Sequence, residues 1–83
     1  MEHYLIVARS VTYAQRMQRL LERAGIFHRI FRAPRELGTV GCAYAVQVRT
    51  SDLTAALEAL YKANLAPVSV YLSQAGLYQE VAL

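Results

Sequence analysis

The chain has 83 residues, 55% of them hydrophobic, and a formal charge of +3. That length predicts one domain, residues 1–83. The apolar content excludes low-complexity disorder. With one cysteine no internal disulfide is possible, and no run reaches the ~18 apolar residues of a membrane span.

In chain order, "HYLIVA" (3–8) is nearly continuous in apolar β-formers and reads as a central strand. "TYAQRMQRLLERAG" (12–25) changes period. Ala14, Met17, Leu21 and Ala24 fall on one helical stripe, while Gln15, Arg16, Gln18, Arg19, Glu22 and Arg23 face outward. Ser10 or Thr12 can cap the start, and Gly25 suits the left-handed position after the end. "FHRIFRA" (27–33) reads as an edge strand guarded by Arg29 and Arg32, and Pro34 ends it. "CAYAVQV" (42–48) alternates strictly. Tyr44, Val46 and Val48 share one face; Ala43, Ala45, Gln47 and Arg49 share the other, which the polar pair marks as open.

"SDLTAALEALYKAN" (51–64) predicts a second helix. Ser51 is its expected N-cap, and Asn64 its stop. "VSVYL" (68–72) reads as a fourth strand. The tail 73–83 breaks at Gly76 and regains apolar residues, which suits a contact with a second subunit. The order βαββαβ predicts a ferredoxin-like α+β sandwich: a four-stranded antiparallel sheet with two helices on one face, plus the tail.

In that topology the turn "RSVT" (9–12) and the connection "PRELGTVGC" (34–42) meet at one end of the sheet. Cys42 would then lie near the N-terminus of the first helix, where free N–H groups and a partial positive charge favour a thiolate. Arg9 and Arg35 add charge, and Ser10 and Thr12 add hydroxyl donors. Gly41 permits close backbone approach. The plainer reading of Cys42 is a small buried apolar residue.

His3 and His28 begin strands at the opposite end, so a metal site with Cys42 is not expected, and no catalytic base lies near the thiol. The arginines are uneven: residues 1–49 hold eight against three glutamates, while the rest holds one lysine against three acids. A basic half suits an anionic partner. RNA-recognition modules share the βαββαβ order, but the parity of Tyr44 turns it towards the helices, so nucleic acid is not the expected ligand.

The residues also resemble a known family. Pro34-Arg35-Glu36 followed by Gly41-Cys42, with the helix ending "ERAGI", is similar to the selenium/sulfur carrier-like proteins, small bacterial proteins. Ala43 stands where that family is expected to have a glycine. The resemblance implies a non-enzymatic carrier with sulfur or selenium held covalently on Cys42, no other cofactor, and a donor or acceptor protein as partner. The apolar content adds a homo-oligomer to the expected partners, and a self-associating module without thiol chemistry is the alternative. No membrane partner is expected. The opening residues do not read as a signal peptide, and the expected location is the cytoplasm.

Overall fold

The computed structural model describes residues 2–37 and 44–82. Seven regular elements follow one another: β1 (His3–Ala8), α1 (Val11–Arg23), β2 (His28–Arg32), β3 (Tyr44–Arg49), α2 (Leu53–Lys62), β4 (Ser69–Gln74) and β5 (Leu77–Val81). Short 3-10 turns stand at Arg35–Leu37 and Thr50–Asp52.

The strands form one sheet in the order β2-β3-β1-β4-β5, with antiparallel neighbours throughout. The α+β class stands. The expected four-stranded sheet does not, because the tail adds a fifth strand. Ala75 and Gly76 both take positive φ (52° and 79°), the left-handed pair that a two-residue hairpin turn requires. That turn folds Leu77–Val81 back along β4 of its own chain, with Gln74 opposite Leu77 and Val70 opposite Val81.

β1 is the central strand, and its composition follows from that place. Ile6 and Ala8 are buried on the helix side; Leu5 and Val7 are buried on the other. A strand covered on both faces has no polar position to alternate with. The helix-side core joins Ile6, Val46, Val48 and Val70 of the sheet to Ala14, Met17 and Leu21 of α1 and Ala56 and Leu60 of α2.

Both helices close in the same way. Ile26 N–H reaches Leu21 C=O at 3.0 Å and Gly25 N–H reaches Glu22 C=O at 3.1 Å. After α2, Leu65 N–H reaches Leu60 C=O and Asn64 N–H reaches Tyr61 C=O. These are paired 6→1 and 5→2 bonds around a left-handed residue, Gly25 (φ 73°) and Asn64 (φ 58°).

The start of α2 departs from expectation. Ser51 lies within the 3-10 turn, and Asp52 holds the N-cap place without a side-chain cap bond. Its carboxylate instead accepts from Arg49 Nε at 2.9 Å. No helix among the described residues is long and apolar enough to cross a membrane.

Candidate functional site

The end of the sheet where β1 finishes and β3 begins carries the candidate site. Ala8 pairs there with Tyr44, and Tyr44 with Arg32. Cys42 and Gly41 lie outside the described residues. The site is therefore built from what flanks them.

On the helix side stands the β1–α1 turn. Ser10 is the N-cap of α1, and its Oγ accepts from Tyr13 N–H at 3.2 Å. Its hydroxyl oxygen is engaged in holding the helix. We expect Ser10→Ala to lose about 1 kcal/mol of stability by urea denaturation. A loss of only a tenth or two would mean that the cap contributes nothing. Arg9 is exposed, and its Cζ lies 4.7 Å from the centroid of the Tyr13 ring, a cation–π contact that fixes the guanidinium beside the helix start. Thr12 is exposed in the first turn. Arg9, Ser10 and Thr12 thus gather at one turn.

Arg35 does not join them on that side. The 3-10 turn that carries it folds over the opposite face of the sheet. Leu37 is buried there (3% exposed) against Leu5, Val7 and Ala45, with Phe31, Ala33, Tyr71 and Tyr78 around the margin. Tyr71 Oη donates to Leu37 C=O at 2.8 Å. A side chain and a hydrogen bond therefore pin the segment leaving Pro34 to the sheet. Arg35 remains exposed. The face that Gln47 and Arg49 mark as open is open only away from this end.

Sequence reasoning passed over the two residues that make the pin. Leu37 is a lone apolar side chain in a polar connection. Tyr71 is the aromatic on the non-helix parity of β4. An isolated leucine beside Pro-Arg-Glu was the available signal.

The histidines stand at the other end of the sheet. His3 pairs with Arg49, His28 with Val48, and β3 separates their strands. His28 Nδ1 lies 2.9 Å from Ile26 C=O. Among the described residues no group of three His, Cys, Asp or Glu side chains could hold a metal ion. Tyr44 packs against the helix-side core, away from the face on which RNA-recognition modules stack bases.

Leu37 is pinned on one face of the sheet, and β3 starts at Tyr44, at the sheet end where α1 begins. The chain belongs to the family described as "Putative Se/S carrier protein-like", whose model matches residues 3–72. The match runs from the start of β1 into β4 and stops before β5. No curated protein and no solved structure matches the chain.

Proposed function

We propose that the protein is a carrier, not a catalyst, that holds sulfur or selenium covalently on Cys42. Membership of the carrier-like family is the observation that carries this reading. The pinning of Leu37 supports it, because it fixes the chain on the sheet five residues before Cys42. A reduced compartment, the cytoplasm, is the setting in which such a thiol stays free.

Loading from a persulfide donor needs no external oxidant or reductant. The Cys42 thiolate attacks the outer sulfur of R–S–SH. A new S–S bond forms on Cys42, the donor S–S bond breaks, and the donor leaves as its thiolate, R–S⁻. The sulfane sulfur changes hands without net redox change. Selenium transfers in the same way from a selenopersulfide. Arg9 would help to hold the negative charge of a deprotonated persulfide, and Thr12 would offer a hydroxyl donor. Gly41 would leave room beside the added atom.

Intact-mass spectrometry tests the proposal. Reduced protein treated with glutathione persulfide should gain the mass of one sulfur, and Cys42→Ser should gain nothing. The adduct should form faster on the folded chain than on the same chain in urea. Equal rates in the two states, or a glutathione mixed disulfide as the only product, would reduce Cys42 to an ordinary thiol and overturn the reading.

A further inference from the structure

We propose that the outer edge of β5 is a self-association surface that pairs with the same edge of a second copy. Among the described residues β5 is paired on one side only, with β4. It lies beyond the residues matched by the family.

The hairpin fixes which groups the free edge offers. The two-residue Ala75-Gly76 turn makes Gln74–Leu77 the closing hydrogen-bonded pair. Pairs then alternate, so Leu77, Gln79 and Val81 bond inward to β4. Tyr78 and Glu80 turn their N–H and C=O groups outward. Neither proline nor lysine guards this edge. The opposite edge, β2, carries exposed Arg29 and Arg32, which oppose pairing with another copy of itself.

The sequence of β5 is self-complementary about Gln79. An antiparallel two-fold pairing centred there sets Tyr78 against the partner's Glu80 as a hydrogen-bonded pair, and the reverse. No like charges stand directly opposite. On the helix side the same register sets Leu77, 74% exposed, against the partner's Val81. A depression of about 460 Å³ lined by Val68, Ser69, Glu80, Val81 and Ala82 lies at that end of the strand and can receive the incoming leucine. Val68 in it is 57% exposed. The two five-stranded sheets become one ten-stranded sheet, closed by the two-fold axis.

The register supplies its own test. Gln79 meets the partner's Gln79 as a non-hydrogen-bonded pair, with Cα atoms about 4.5 Å apart, within disulfide range. On a Cys42→Ser background, Gln79→Cys should cross-link to a covalent dimer under mild oxidation at least ten times faster than Leu77→Cys, whose two copies lie four positions out of register. Light scattering of the wild-type chain at micromolar concentration should give twice the 9.3 kDa monomer mass. Glu80→Pro deletes an outward N–H and no bond to β4, so it should return the mass to the monomer with the circular dichroism unchanged. Three results would each overturn the proposal: a wild-type monomer; a mass that climbs without limit, which signals head-to-tail pairing of β5 with the partner's β2; or a dimer indifferent to Glu80→Pro and to the position of the cysteine.

Discussion

Leu37→Ala should destabilise the fold by about 2–4 kcal/mol, a large share of what a domain of this size possesses. The side chain is buried in a shallow apolar cluster, and its removal opens a gap over Leu5, Val7 and Ala45 that Phe31, Ala33, Tyr71 and Tyr78 only border. Urea denaturation followed by circular dichroism reads the loss. Tyr71→Phe, which removes only the hydrogen bond to Leu37 C=O, should cost about 1 kcal/mol. The pair of variants separates packing from polar tethering. A Leu37→Ala protein within half a kcal/mol of wild type would show that the connection lies on the sheet without holding it.

Leu5→Ala should cost as much as Ile6→Ala, about 2–5 kcal/mol each. The two residues are neighbours on β1 and face opposite ways. Ile6 points into the helix-side core, fully buried; Leu5 is only 2% exposed on the other face. If that other face were open to water, Leu5→Ala would be close to neutral, since exposed leucines contribute little. Equal midpoint shifts in a urea titration support two cores on one sheet. A loss at Ile6 alone refutes the second core.

Leu5 also marks the limit of what the sequence makes legible. The uninterrupted "YLIVA" run signals a central strand covered on at least one face; in the structure both faces are covered. It does not say what covers the second face. The cover is Leu37, thirty-two positions along the chain, and no local period links a lone leucine in a loop to a strand that far away. The helices read more clearly, because their spacing is local. Ala14, Met17 and Leu21 repeat with the period of the helix that buries them. Gly25 and Asn64 announce where each helix stops.

Two further misreadings have physical causes. Ser51 has the chemistry of an N-cap, but Arg49 draws Asp52 into an ion pair, and the first residues tighten into a 3-10 turn before α2 begins. The fifth strand was missed because Gly76 reads as a break, whereas Ala75-Gly76 is the two-residue turn of a hairpin. An alanine at φ 52° is an unusual occupant of that turn, which Asn-Gly or Gly-Gly would have announced. Of the candidate site, the sequence made the β1–α1 turn legible, and the structure gathers Arg9, Ser10 and Thr12 there. The placement of Arg35 across the sheet depended on Leu37 and was hidden with it.

The central position of β1 has a consequence for biosynthesis. Val7 needs Ala45 on one flank and Ser69 on the other, and both are made after it. At roughly 5–20 residues per second, the further sixty or so residues take several seconds to emerge. Until β3 emerges the most apolar strand of the chain has neither flank occupied, and until β4 emerges it has only one. The β4–β5 hairpin is in the contrary position, closing within microseconds of its last residue. The nascent chain therefore carries its most aggregation-prone segment unpaired for longest, and β1 is where a chaperone has the most to protect.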